Sequence, residues 1–321
     1  MNTPEVIQRS IILTTKHTGM RFDQVAAELF DEFSRSRLQE WIKQGCLTLD
    51  GQVINKPKHK LGGFERMVLQ AEITAHADDQ PQAIPLEIAY QDKYLIIVNK
   101  PAGMVVHPAA GNPNGTLVNA LLHFDSALSC LPRAGIVHRL DKDTSGLLLV
   151  ARNDVVRLAL IKRLKQRLIQ RHYLALVWGN PSATGSVAAA IGRHPVDRLR
   201  MSVRPDSDSN AKSALTHFKV KARGQHCSLL SVKLDTGRTH QIRVHMMHAG
   251  YPLVGDTTYR QQRPQMTAAM LTELVDFQRQ ALHATRLQFS HPIDEHDLDV
   301  QMPPPNDFAG LLKRLELIDV E

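Results

Sequence analysis

Aromatic residues are scarce in this chain: two Trp, five Tyr and nine Phe make up 5% of 321 residues. That argues against a broad platform on which ring after ring stacks on the bases of a single strand. The three cysteines, Cys46, Cys130 and Cys227, are widely separated, odd in number and without a CxxC pair. A disulfide framework and a structural zinc site are therefore not expected, and a reducing compartment fits. No apolar run approaches the roughly 18 residues of a membrane span. The first residues, Met1-Asn2-Thr3-Pro4-Glu5, lack the basic segment and apolar core of a secretion signal. The expectation is a cytoplasmic protein with no membrane contact. Acidic residues are also in deficit, 32 against 39 Lys and Arg, with a pI near 9.4. A polyanionic partner, most simply nucleic acid, follows from that excess. Apolar content of 43% is ordinary, and the length suits two domains.

Residues 18–72 read as a compact module within an N-terminal domain spanning 1–75. An amphipathic stretch opens at Asp23, with Val25, Leu29 and Phe30 on its apolar side. Ser34 suits an N-cap for a second helix carrying Leu38, Trp41 and Ile42, with Gly45 as terminator. Asp50-Gly51 between two short apolar runs signals a hairpin. From Ser34 to Lys60 the bases Arg35, Arg37, Lys43, Lys56, Lys58 and Lys60 face only Glu40 and Asp50. Residues 76–85, polar, small and holding two prolines, read as a linker. Residues 86–321 form the second domain.

Strand-like and helix-like stretches there do not alternate regularly, so an α+β domain on a large mixed sheet is expected rather than a doubly wound one. Leu95–Val98, Tyr173–Trp178 and Ser228–Leu234 read as strands. Residues 154–168 read as an amphipathic helix whose basic face holds Arg157, Lys162, Arg163, Lys165 and Arg167. A helix over 239–249 would be capped by Thr239, and one near the C-terminus by Asn306. After about Met302 no motif is present.

The most informative string is Gly135-Ile136-Val137-His138-Arg139-Leu140-Asp141-Lys142-Asp143-Thr144-Ser145-Gly146, a polar turn before the apolar run Leu147–Ala151. Asp141 lies between Arg139 and Lys142. Neighbouring cations favour an ionised carboxylate, which suits a nucleophile or an electrostatic stabiliser better than a general acid. His240, His245 and His248 lack the i, i+4 spacing and intervening Glu of a zinc-protease helix, so no metal is expected.

His-Arg-Leu-Asp followed by Thr-Ser-Gly-Leu resembles the signature of RluA/RluD-type pseudouridine synthases, and Asp141 holds the place of that family's catalytic aspartate. Lys100-Pro101-Ala102-Gly103 with Val105-Val106-His107-Pro108, Gly237-Arg238-Thr239-His240-Gln241-Ile242-Arg243-Val244-His245 and Ala281-Leu282-His283-Ala284 resemble further elements of the family. The resemblance implies an α+β catalytic domain on a large mixed, mostly antiparallel sheet. It implies that Tyr173 lies over the target base. It also implies that Arg243 pairs with Asp141, a pairing that guanidinium geometry allows to be two-pronged. Arg139 would enter the space left by a flipped base, with His138 and Thr144 as further RNA contacts. The N-terminal module resembles the αL-motif RNA-binding domain, implying contacts from Ser34, Arg35, Arg37, Lys56 and Lys58. Within the family the surrounding strings are closest to the D-type synthases of large-subunit rRNA. The implied partner is 23S rRNA or a large-subunit precursor, with the loop of helix 69 as target and the protein a monomer.

The implied reaction breaks the C1′–N1 bond of uridine, rotates the uracil and joins C5 to C1′. Asp141 would attack C1′ or abstract the 2′ proton, and the residues do not choose between these. The isomerisation has no redox or energy step, so no cofactor is expected. A non-catalytic RNA-binding assembly factor, an Asp-nucleophile hydrolase and a synthase acting on another rRNA or tRNA site are the competing readings. The first leaves the set Asp141, Tyr173 and Arg243 unexplained. The second lacks an evident water-activating group.

Overall fold

A computed structural model of the chain describes residues 5–30, 33, 35–73, 80–108, 112–197, 200–260 and 277–317. Ser34, and with it the expected helix cap, lies outside the described residues. The chain divides into two compact units, Met1–Asp78 with Ser129–Pro132, and Asp79–Leu128 with Arg133–Glu321.

The first unit contains β1 (Glu5–Ile12), α1 (Phe22–Leu29), α2 (Arg35–Gln44), β2 (Leu47–Leu49), β3 (Gln52–Val53) and β4 (Arg66–Ile73). Its antiparallel sheet runs β1-β4-β2-β3. Helical spacing places Phe22, Val25 and Ala26 of α1 and Leu38, Trp41 and Ile42 of α2 in one cluster with Leu47, Leu49, Met67 and Leu69 of the sheet. Beside it sits a buried charge. Asp23 accepts from Arg21 Nε and Nη2 (both 2.9 Å), Arg35 Nη2 (2.8 Å) and Gln39 Nε2 (2.5 Å). Burial works to raise its pKa, but these donors outweigh it and hold the carboxyl at about 2.

The second unit contains β5 (Glu87–Gln91), β6 (Leu95–Lys100), α3 (Leu117–Phe124), β7 (Ser145–Ala151), α4 (Asp154–Lys165), β8 (Gln170–Trp178) and β9 (Thr184–Ala188). These are followed by β10 (Ile191–Arg193), β11 (Met201–Val203), β12 (Leu215–Arg223), β13 (Cys227–Leu234), α5 (Gln241–His248), β14 (Leu282–Ser290), β15 (Asp297–Gln301) and α6 (Asn306–Arg314). Its main sheet has the order β5-β6-β7-β14-β8-β13-β12-β9, with β15 also on β14. The β7–β14 pair is parallel and the other pairs are antiparallel. The fold is α+β on a mixed, mostly antiparallel sheet. Val156 and Leu160 of α4 pack on Leu95, Ile97, Leu147 and Leu149. Phe308, Leu311 and Leu312 of α6 pack on Leu176 and Leu229.

Local chemistry moved several expected boundaries. Half of the expected linker is tied down: Gln82 N–H donates to Asn119 O (3.0 Å), and Asn119 Nδ2 donates to Gln80 O (2.7 Å). α5 begins at Gln241, with His240 rather than Thr239 as its N-cap. The Gln241 amide oxygen accepts from Arg238 N–H (3.0 Å) and Thr236 Oγ1 (2.8 Å), holding the preceding residues in a turn. Pro305, not Asn306, is the N-cap of α6. Arg157 belongs to no solvated basic face: it is buried and paired with Asp154 (2.5 Å).

Candidate active site and RNA interface

Asp141 sits in the turn that enters β7, and two devices fix that turn. Gly146, with φ +112°, lies so close to β14 that a Cβ would stand 2.2 Å from Ala284 O. Only glycine allows β14 to run against β7 there. From below, fully buried Lys100 donates to Pro101 O (2.7 Å), Met104 O (2.9 Å) and Lys142 O (2.9 Å). Burial pushes its pKa down to about 7, against the pull of Asp143 and Asp141. The three carbonyls match the three N–H groups of the ammonium, which favours the charged form.

Arg243, in the first turn of α5, donates Nη1–H to Asp141 Oδ2 (3.1 Å). Its two-pronged bond goes elsewhere, to Asp256, through Nε (2.6 Å) and Nη2 (2.9 Å). Burial opposes its charge, but Asp256 and Asp141 outweigh burial and hold its pKa above the usual arginine range. Asp256 is itself anchored by N–H groups of Thr258 (2.8 Å) and Tyr259 (3.0 Å). The segment before it is laid against β8 through Trp178 N–H to Pro252 O and Val254 N–H to Leu176 O. At Gly255, φ +75°, a Cβ would meet Arg279 O at 2.1 Å. The arrangement holds one oxygen of Asp141, while Oδ1 has no hydrogen bond among the described residues. Its neighbour is His240 Nε2, 3.9 Å away.

Tyr173 projects from β8, where it pairs with Val232 of β13 and Ala284 of β14. Its ring is buried and its hydroxyl has no hydrogen bond among the described residues. Burial raises its pKa, Arg171 opposes that, and the charge of Asp141 adds to it. A carboxylate with one free oxygen, oriented by an arginine and within electrostatic reach of a buried tyrosine, can act at a sugar carbon as nucleophile or base.

In the first unit, Arg21, Lys43, Asn55, Lys56 and Lys58 line a groove of about 480 Å³. Arg21 is bound to Asp23, and the three lysines around the groove suit phosphate oxygens.

Residues 94–248 match the family described as RNA pseudouridylate synthase, and residues 20–66 match the S4 domain. A Xylella fastidiosa protein named ribosomal large subunit pseudouridine synthase D is 50% identical over 92% of this chain and 89% of its own length. The chain belongs to the RNA pseudouridine synthase family. An Escherichia coli (strain K12) protein of the same name is 44% identical to this synthase over 96% of the chain and 94% of its own length. The solved structure of human RNA pseudouridylate synthase domain containing 4 matches with a TM-score of 0.60. It is 25% identical over 73% of this chain and 95% of that one. The synthase is thus an isomerase that makes pseudouridine in RNA.

The expected site residues of the synthase fall into two groups. Asp141, Arg243 and Tyr173 come together, and Arg139 is exposed beside them. Lys56 and Lys58 share the basic groove. The others have structural occupations. Thr144 is buried and accepts from Gln280 Nε2 (3.1 Å). His138 Nε2 accepts from Leu149 N–H (3.1 Å), and burial, with Arg171, pushes its pKa down to about 3. Its Nε2 is thus committed to the backbone of β7. Arg35 is bound to Asp23, and Arg37 lies over the Trp41 ring at 5.0 Å. His245 bonds Thr216 Oγ1 (2.8 Å) and Ala189 O (3.0 Å). His291, Asp294 and His296 lie close together, but His291 Nδ1 already accepts from Asp294 N–H (3.0 Å), so its lone pair is not open to a metal.

Asp256, Lys100 and Tyr259 also belong to the site, and the sequence does not mark them as site residues. Asp256 stood in the string Pro252-Leu253-Val254-Gly255-Asp256, where a close-approach glycine before an acid was the available signal.

Proposed function

We propose that this synthase isomerises uridine in 23S rRNA, in the loop of helix 69, and that Asp141 is the residue acting at the target ribose. The observation that carries the reading is the free Oδ1 of Asp141, held in place through Oδ2 by an arginine that Asp256 fixes from behind. Reaching the sugar requires the nucleotide to leave its stack, at a cost of roughly a few kcal/mol. On this reading Arg139, which is exposed, fills the vacated space, and Tyr173 packs on the uracil. Asp141 then attacks C1′ or takes the proton on C2′, and the C1′–N1 bond breaks with its electron pair leaving on uracil. After the base turns, C5 bonds to C1′ as Asp141 or its proton is released, the C5 proton being lost and N1 protonated. Neither route consumes an oxidant, a reductant or a nucleotide, so the reaction requires no cofactor. The basic groove of the first unit supplies sequence-independent phosphate contacts, and the work is done by a monomer in the cytoplasm. The names of the bacterial relatives support the large subunit as the place of action.

The test is to incubate the synthase with unmodified 23S rRNA and map the pseudouridines. The expected outcome is modification confined to the helix 69 loop. Modification only elsewhere would overturn the choice of target while leaving the chemistry intact.

A further inference from the structure

The site contains an imidazole whose proton can be located. Tyr259, buried beside α5, accepts from Met201 N–H at its hydroxyl oxygen (2.9 Å). The same hydroxyl lies 2.7 Å from His240 Nδ1, the one acceptor it has among the described residues. The tyrosine O–H therefore donates to Nδ1, and the imidazole carries its proton on Nε2. That N–H faces Asp141 Oδ1 across 3.9 Å, too far for a direct hydrogen bond. His240 reaches this position by adopting φ +57°, left-handed backbone that is uncommon outside glycine and is often found at functional sites. Its surroundings are charged on every side: Asp141 and Asp256 as anions, Arg243 and Arg139 as cations. Burial dominates and pushes its pKa below the ordinary histidine range, so the ring is neutral at pH 7.

A donor and an acceptor 3.9 Å apart leave room for one hydroxyl at about 2.8 Å from each. On either route Asp141 must reach C1′ or the hydrogen on C2′, so the 2′-hydroxyl lies within a bond or two of its carboxylate. We infer that His240 is a specificity-determining residue: its Nε2–H donates to the 2′-hydroxyl of the target ribose, which in turn donates to Asp141 Oδ1. The inference rests on Asp141 being the residue that acts at the sugar. It gives the site a means of telling a ribonucleotide from a 2′-deoxyribonucleotide at the position that reacts, as the 2′-hydroxyl is what marks RNA. Tyr259 serves it as a positioning residue by fixing the tautomer.

The test uses the full chain with RNA stem-loops tritiated at C5 of the target, carrying either uridine or 2′-deoxyuridine there. Wild type, His240→Asn and Tyr259→Phe are compared by kcat/KM for tritium release. Asparagine tolerates the left-handed backbone, but its shorter amide cannot reach the Asp141 side. Tyr259→Phe keeps the buried ring and removes only the donor to Nδ1. We expect wild type to prefer the ribose by about tenfold or more, the scale of one good hydrogen bond. His240→Asn should bring that preference below about threefold by slowing the ribose substrate, with the deoxy substrate near its wild-type rate, and Tyr259→Phe should fall between. If the deoxy substrate is not turned over, the same ratios are read from competitive inhibition constants. An unchanged preference in His240→Asn, with both substrates slowed equally, would overturn the inference and leave His240 a structural role. Failure of wild type to release tritium from the uridine substrate would instead overturn the choice of target. Release by Asp141→Asn at the wild-type rate would sink the reading of Asp141 on which the inference rests.

Discussion

Arg243 gives two N–H groups to Asp256 and one to Asp141. Its orientation is set by Asp256, and Asp141, the carboxylate proposed to act at the ribose, receives what remains. Removing the fixing partner leaves a buried guanidinium partly uncompensated, a loss of about 3–5 kcal/mol in comparable pairs. Asp256→Asn is therefore expected to lower stability on that scale, measured by urea unfolding. It should also slow release at saturating RNA by about tenfold or more as the last N–H loses its aim. Unchanged kcat in a folded Asp256→Asn protein would show that Arg243 needs no such support.

At the scale of elements, the turn holding Asp141 depends on β14 passing directly over Gly146. Gly146→Ala forces a methyl group into the Ala284 backbone and strains a positive φ. Thermal unfolding should report a loss of at least about 2 kcal/mol. In the first unit, α1 and α2 meet around Asp23. Its folded pKa, about 2, lies below the ordinary 3.8, so its contribution is present above about pH 4 and disappears as pH falls toward 2. That shift corresponds to roughly 2 kcal/mol. The urea midpoint of the wild type should fall between pH 5 and pH 2.5 by more than that of Asp23→Asn. Equal losses would remove Asp23 from the acid response. The elements themselves were largely legible: Leu95–Val98 and Leu147–Ala151 are apolar runs with nowhere to go but a sheet interior, and α1 and α2 follow helical spacing. The start of α5 was not, because Thr239 has the right side chain for a cap while the deciding bonds come from the Gln241 amide. Arg157 and Arg35 read as solvent-facing cations because sequence spacing does not show that Asp154 and Asp23 claim them. Asp141 and Arg243 were legible through their strings. Asp256 was not, since its partner is brought to it by the path of the chain beside β8 rather than by any local pattern.

For the molecule as a whole, the proposal puts binding and chemistry in different groups, so they should separate in experiment. Lys56→Ala and Lys58→Ala are each expected to weaken RNA binding without sequence preference. Each should reduce the slope of log affinity against log salt by about 1. The rate at saturating RNA should stay within about twofold, because saturation removes a pure binding defect from the rate. A salt slope identical to wild type would exclude the groove as a phosphate site. The central claim is that Asp141 is the group that acts on the ribose. It is tested most directly by measuring tritium release from C5-labelled rRNA by wild type and Asp141→Asn, with RNA binding followed in parallel. The account predicts release by wild type, none by Asp141→Asn, and binding by both. Release by Asp141→Asn at the wild-type rate would contradict it.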